Sequence, residues 1–151
     1  MSKSPKETSE DSLALSTFSR LSKAAGQLRR KVYSGLSDTR LTESQLNVLE
    51  LLLQVGPLPQ KEIAKNLLVT GGNVTMVVDN LQKRNLVERN RWQQDRRVVH
   101  VALTSEGRET IETYFPHHVK KVEKALKALD DNEQEQLIAL CDKLRSSLQK
   151  A

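Results

Sequence analysis

Residues 60–103, QKEIAKNLLVTGGNVTMVVDNLQKRNLVERNRWQQDRRVVHVAL, change hydrophobic period once, and that change limits the folds open to the chain. In the first part Ile63, Ala64 and Leu67 fall on one side of a helix, and Val74, Val77, Val78 and Leu81 repeat the helical spacing on a second. Val69 and Thr70 lie between them and read as a turn, with the Thr70 hydroxyl as N-cap. The period then shortens to two. Residues 86–92 and 98–103 read as paired strands, with Val99, Val101 and Leu103 alternating with more polar positions. WQQDRR between them has no apolar cluster to bury and carries two adjacent arginines. The expected unit is two short helices joined by a tight turn, followed by an arginine-tipped β-hairpin.

On the second helix, Gly72, Asn73, Thr75, Met76, Asn80 and Lys83 oppose the apolar stripe. Such a face is small and polar at its amino end and basic beyond it. Small residues allow close approach of the backbone, and amide and hydroxyl groups match base edges in a major groove. Taken alone, the two helices also read as an ordinary amphipathic pair with a solvated face. The hairpin decides between these readings. Residues 83–97 hold six cations (Lys83, Arg84, Arg89, Arg91, Arg96, Arg97) against Glu88 and Asp95, so most of the formal net charge of +5 sits beside that helix. Charge placed this way suits a phosphate backbone. A membrane surface is a poorer partner, because the basic segment is a hairpin and not an amphipathic helix.

The run VTGGNVTMVVDNLQKRNLVER, followed by DRRVVHVALTSEG, resembles the winged helix-turn-helix of the multiple-antibiotic-resistance regulator (MarR) family of bacterial transcription factors. The second run is similar to the family's wing signature, Asp-x-Arg, a strand, then Leu-Thr-x-x-Gly. The resemblance extends over roughly residues 12–149. It implies a mainly α fold with a small β-hairpin wing: a winged helix-turn-helix lobe over about 42–104, and dimerisation helices over about 11–35 and 105–150. By position it assigns Thr70, Gly71, Gly72, Asn73, Thr75 and Met76 to the leading end of the recognition helix, against bases or neighbouring phosphates. Asn80 and Lys83 fall to backbone contacts, Arg97 to the minor groove, Asp95 to orienting Arg97, and Arg96 to a phosphate. It further implies a homodimer on double-stranded DNA at a pseudo-palindromic site, acting as a repressor relieved by a ligand.

The remaining segments are consistent with this plan. A single domain over 11–151 is expected after a disordered tail at 1–10, which has nothing apolar after Met1. Aromatic content of 3% means that Leu, Val, Ile and Ala must build the core. Phe18, Leu21, Ala25, Leu28 and Val32 stripe a helix from about 11 to 34, which Gly35 ends. Thr42 and Gln45 form a capping box, with Leu41 able to staple to Leu46, ahead of the leucine-rich LNVLELLLQV. So apolar a helix belongs at the centre of the fold. Pro57 and Pro59 then break the chain. A long helix after Thr104 carries Ile111, Phe115, Val122, Leu126 and Leu129, and Pro116 is expected to kink or divide it. Asp130 and Glu133 open a last helix striped by Leu137, Cys141, Leu144 and Leu148. Narrow stripes on the terminal helices call for a second copy across a two-fold axis.

For a small aromatic, phenolic or quinone effector, the resemblance points to Tyr33, Tyr114, Phe115, His117 and His118; FPHH is similar to a Phe-Pro-x-His feature of one branch of the family, with His118 at the matching position. No metal site is expected, because His117 and His118 diverge on a helix and the third histidine, His100, lies in a strand. No cofactor and no catalytic set is expected either: there is no nucleophile elbow, no Gly-rich phosphate loop beyond Gly71-Gly72, and no paired carboxylates outside solvated helix faces. The single Cys141 excludes an internal disulfide framework and reads as a buried, inert thiol of a reducing compartment. A soluble, cytoplasmic protein is expected, since no apolar run approaches a membrane span and no signal peptide is evident, and the resemblance implies a bacterial or archaeal one. The alternative function is a winged helix that binds other proteins without reading DNA sequence.

Overall fold

The computed structural model describes residues 9–67 and 71–149. Six helices and a three-stranded antiparallel sheet divide between two compact units. One unit spans Tyr33–Val119; the other combines Met1–Val32 with Lys120–Ala151. No described helix is long and apolar enough to cross a membrane.

The first of these is built around α2, Glu43–Val55. Its start is fixed as expected: Gln45 N donates to Thr42 Oγ1 at 3.2 Å, and Thr42 N donates back to Gln45 Oε1 at 3.1 Å. Leu46, Val48, Leu49 and Leu52 of α2 are all fully buried, which makes this helix the centre of the core. Truncating one such leucine to alanine would cost about 2–5 kcal/mol. At Gly56 the φ angle is 88°, a left-handed turn that suits glycine, and its N–H closes on Leu52 O at 3.0 Å.

The two prolines do not simply break the chain. Leu58–Pro59 forms β1, an edge strand paired with β3 (Leu58 with Val101, Pro59 with His100), so the sheet has one strand more than the expected hairpin. Proline is tolerated there because an edge strand can spare a donor. Helix α3, Gln60–Leu67, follows at once and buries Ile63. Leu68, Val69 and Thr70, and with them the expected turn and cap, lie outside the described residues. Helix α4, Gly71–Lys83, buries Val74, Val78 and Leu81 against α2 and α3.

Past Lys83, α4 closes with a left-handed cap, although glycine is absent. Leu86 N reaches Leu81 O at 3.0 Å, Asn85 N reaches Gln82 O at 3.0 Å, and Asn85 sits at φ 59°. Strands β2, Val87–Arg91, and β3, Val99–Leu103, pair in register from Val87 opposite Leu103 to Arg91 opposite Val99. Val87 and Val101 are buried while Val99 is exposed, so the hairpin is anchored at its root and projects at its tip.

Thr104 joins the wing to α5, Ser105–Ala125. Its N–H bonds Leu86 O at 3.1 Å, while its hydroxyl donates to Asn85 O at 2.6 Å and accepts from Gly107 N at 2.9 Å. Pro116 does not divide α5, which continues through it. Pro116 and Glu112, four residues earlier, are both exposed, so the lost backbone bond falls on the solvent side.

In the other unit, α1, Ser9–Val32, takes in the last two residues of the expected tail. Leu126 and Leu129 fall in the turn after α5. Asp130 and Glu133 cap α6, Asp131–Gln149, reciprocally: Glu133 N to Asp130 Oδ1 at 2.8 Å, and Asp130 N to Glu133 Oε1 at 3.2 Å. An apolar groove of about 590 Å³ runs along Leu21, Ala25 and Leu28 of α1 to Leu129, Leu137 and Cys141. No described residue of α6 is buried, so Cys141 is half-buried at the edge of this groove and not the buried thiol expected.

Candidate nucleic-acid interface

With Val74, Val78 and Leu81 turned inward, helical geometry leaves Asn73, Thr75, Met76, Asn80 and Lys83 on the exposed side of α4. Met76 is 61% exposed, an apolar side chain left open on this face. Gly71 and Gly72 form the first turn of the same helix. Five sequence-assigned side chains therefore share one helical face. Thr70 is not among the described residues.

A brace of polar groups behind this face was not assigned from sequence. Arg89, half-buried on β2, donates to Asp79 Oδ1 at 2.6 Å, to Gln60 Oε1 at 3.2 Å and to Gln82 Oε1. Gln60 in turn donates from Nε2 to Thr75 Oγ1 at 2.5 Å. Its one sequence signal is that Arg89 lies on the strand face turned toward α4, two residues after the buried Val87.

At the wing tip, Asp95 holds Arg97 by three bonds: Oδ1 accepts from Arg97 N at 3.0 Å and Nε at 3.1 Å, and Oδ2 from Nη2 at 3.1 Å. The Arg97 side chain remains 89% exposed, so it is oriented without being consumed. These bonds hold the Asp95 carboxyl below the ordinary carboxylate range, the side-chain bond first and the backbone bond second. They raise the Arg97 guanidinium correspondingly. Arg96 is exposed, and its carbonyl accepts from Arg91 Nη1 at 2.7 Å, which ties the loop to its strand. Trp92 stacks on His100 across the hairpin with centroids 5.1 Å apart.

A third basic element joins Arg84 to Arg40, which the sequence reading did not assign. Arg84 donates to Arg40 O at 2.6 Å and lies with Arg40, Asn80 and Lys83 around an open cleft of about 480 Å³. Thus Asn80 and Lys83 have cationic neighbours contributed from before α2 and after α4.

Three of the five effector candidates come together. His118, 7% exposed, stacks on Tyr33 at 5.7 Å and meets Tyr114 at 6.1 Å, with its Nε2 3.6 Å from Glu50 Oε2. Tyr33 Oη donates to Asn47 Oδ1 at 2.8 Å. Tyr114 Oη and His118 Nδ1 are buried without a hydrogen-bond partner among the described residues. Burial, and secondarily the charge of Glu50, push the Tyr114 phenol above its ordinary value. Phe115 is half-buried and His117 exposed, each turned roughly 100° from this cluster along α5. Among the described residues no three His, Cys, Asp or Glu side chains cluster to hold a metal ion.

Edge strand β1, helices α3 and α4 and the β2–β3 hairpin, in this chain order, define a winged helix-turn-helix. Residues 41–99 match the model of the MarR family. Over 100 residues the chain is 36% identical to the uncharacterized HTH-type transcriptional regulator YkoM of Bacillus subtilis, a match covering 66% of this chain and 65% of that one. The fold superimposes on AbsC, a MarR family transcriptional regulator from Streptomyces coelicolor, with a TM-score of 0.83 at 20% identity, covering 98% of this chain and 100% of that one. It matches MepR of S. aureus, solved as a complex with DNA, with a TM-score of 0.74 at 29% identity, covering 87% and 97% of the two chains. By sequence and by fold the chain is similar to the winged helix-turn-helix transcriptional regulators of the MarR family, one of which, MepR, is solved as a complex with DNA.

Proposed function

We propose that two copies of this chain grip a pseudo-palindromic operator, each laying α4 in a major groove and its wing in the flanking minor groove. The observation that carries this reading is the pairing, within one compact unit, of an exposed polar α4 face with a guanidinium held outward by Asp95. Gly71, Gly72, Asn73, Thr75 and Met76 meet base edges or nearby phosphates, with Thr70 just ahead of them. Asn80, Lys83 and Arg96 take phosphates, joined by Arg40 and Arg84. Arg97 enters the minor groove, where narrow A·T-rich tracts concentrate negative potential. No catalytic step belongs to this function. Repression is the outcome the family favours.

The second copy is called for by apolar surface on the terminal helices. Leu13, Leu15 and Phe18 of α1, and Ile138, Leu140, Leu144 and Leu148 of α6, are all exposed in the single chain. That surface exceeds what an isolated helical unit leaves open in water.

The effector reading rests on Tyr114 Oη and His118 Nδ1, since buried polar atoms are nearly always partnered. A small phenol, quinone or aromatic acid would supply an oxygen to these atoms and a ring to stack with Tyr33 and His118. Its binding would lower DNA affinity by linkage.

The test is selection of bound duplexes from a random library, followed by a salt titration of the winning site. A two-fold symmetric site with half-sites about one helical turn apart is expected, with Arg97→Ala losing affinity while the fold stays intact. Binding indifferent to both salt and sequence would overturn the proposal.

A further inference from the structure

We infer that Gln60 is a specificity-determining positioning residue of the DNA interface, acting through Thr75. The argument rests on the placing of α4 in the major groove proposed above.

The orientation of the Gln60 amide is dictated by its neighbours. Arg89 Nη2 lies 3.2 Å from one end of that amide, and a guanidinium can only donate, so that end is the carbonyl oxygen. The other end is then the NH₂, which reaches Thr75 Oγ1 at 2.5 Å. Thr75 must accept this bond. Arg89 is itself fixed: it is half-buried, its 2.6 Å bond to Asp79 is charge-assisted, and Asp79 stands one helical turn beyond Thr75 on α4. Gln82, a further turn along, takes the remaining branch of the fork. A single chain of donors and acceptors thus runs from the wing strand β2, through the first residue of α3, to the face that α4 presents.

The consequence is local and directional. Threonine is already stiff at χ1, and a fixed partner for its hydroxyl selects one rotamer. Fixing the hydroxyl also fixes where the γ-methyl stands, and it commits one hydroxyl lone pair to Gln60. Both groups matter in a major groove, where hydroxyls bond base edges and methyls meet the thymine methyl. Gln60 therefore sets what Thr75 recognises, and it does so from behind the helix.

The experiment compares full-length wild type, Thr75→Ala, Gln60→Ala, Gln60→Glu and the Gln60→Ala/Thr75→Ala double variant by selection from a random duplex library. Thermal melts confirm that each is folded. Glutamate still accepts from Arg89 but has no N–H for Thr75, so Q60E reverses the sense of the Thr75 bond while keeping the brace. Expected is a loss of preference of about fivefold to tenfold at one operator position and its symmetry mate in Thr75→Ala. Both Gln60 variants should shift preference at that same position, and the double variant should add nothing there. The salt slope of Gln60→Ala should match wild type. If Thr75→Ala alters that position and the Gln60 variants weaken all sequences evenly, or act elsewhere, the inference is overturned while the groove assignment stands. If Thr75→Ala changes no position, the groove assignment itself fails and the inference with it.

Discussion

Gly107 is the last residue of the Leu-Thr-x-x-Gly run, and replacing it by alanine tests why glycine stands there. A Cβ built on Gly107 would lie 1.8 Å from Leu86 O, 2.8 Å from its carbonyl carbon and 3.1 Å from its Cα. An ordinary carbon–oxygen contact is about 3.3 Å or more, so the first turn of α5 and the α4–β2 turn must separate by roughly 1.5 Å. That movement strains the bonds from Thr104 N to Leu86 O and from Thr104 Oγ1 to Asn85 O. Losing the two would cost about 2 kcal/mol, and disturbing the buried Leu86, Val87 and Ile111 about 1–3 kcal/mol more. Alanine returns about 1 kcal/mol in helix propensity. The net expectation is a destabilisation of about 2–4 kcal/mol, or a fall in Tm of roughly 5–15 °C for a chain of this size. Gly26→Ala is the control, because nothing lies within 4 Å of a Cβ added in the middle of α1. There the propensity gain stands alone and should raise Tm by roughly 2–4 °C. Both are read by circular dichroism melts at one fixed protein concentration, since association shifts Tm. Should Gly107→Ala melt at or above wild type while Gly26→Ala behaves as stated, the close approach of α5 to Leu86 is refuted.

Asn85→Ala should cost about 1–2 kcal/mol in urea unfolding, because alanine resists the left-handed backbone at φ 59°, whereas Asn85→Gly should cost little. Tyr114→Phe removes a buried hydroxyl without a partner, so the ligand-free variant should be as stable as wild type or more so, and should bind small phenols more weakly. The raised Tyr114 value gives a sign as well: its stabilising share is complete below pH 10.0 and is lost as pH climbs through the raised value, a limb that Tyr114→Phe should lack in urea titrations against pH. Asp95 is depressed, so its hold on Arg97 persists above about pH 3.8 and fails only as pH falls through the lower value; carboxyl chemical shifts should show no titration between about pH 5 and 8. Ile138→Glu, on the exposed side of α6, should yield monomers in sedimentation while preserving helix content.

How much could be read in advance follows from how far apart the interacting residues are in sequence. The capping boxes at Thr42 and Asp130 are local, each closed within four residues, and they were legible. So was the central position of α2, because Leu46, Leu49 and Leu52 repeat at helical spacing. Strand β1 was not: two residues with a proline carry no period, and only Val101 and His100, far along the chain, make them a strand. The end of α4 was hidden for another reason. Asn85 does there what glycine usually does, and asparagine by itself reads equally as surface.

The site divides the same way. The resemblance points to Asp95 as the partner of Arg97, two residues away, and to Tyr114 and His118, which meet one turn apart on the same helix. Gln60, Thr75, Asp79 and Arg89 span two helices and a strand, and nothing in their spacing announces that they meet. The family resemblance names side chains that α4 and the wing expose, such as Asn73, Thr75 and Arg97. It is silent about the groups behind them, which depend on how this particular α3 begins. Glutamine at the first position of α3 is free by propensity to be almost any polar residue. Its role comes wholly from the donor-only guanidinium on one side and the hydroxyl on the other. The proposed recognition would accordingly act at two depths: through the side chains that α4 exposes, and through a brace that is visible only once the wing strand is folded against them.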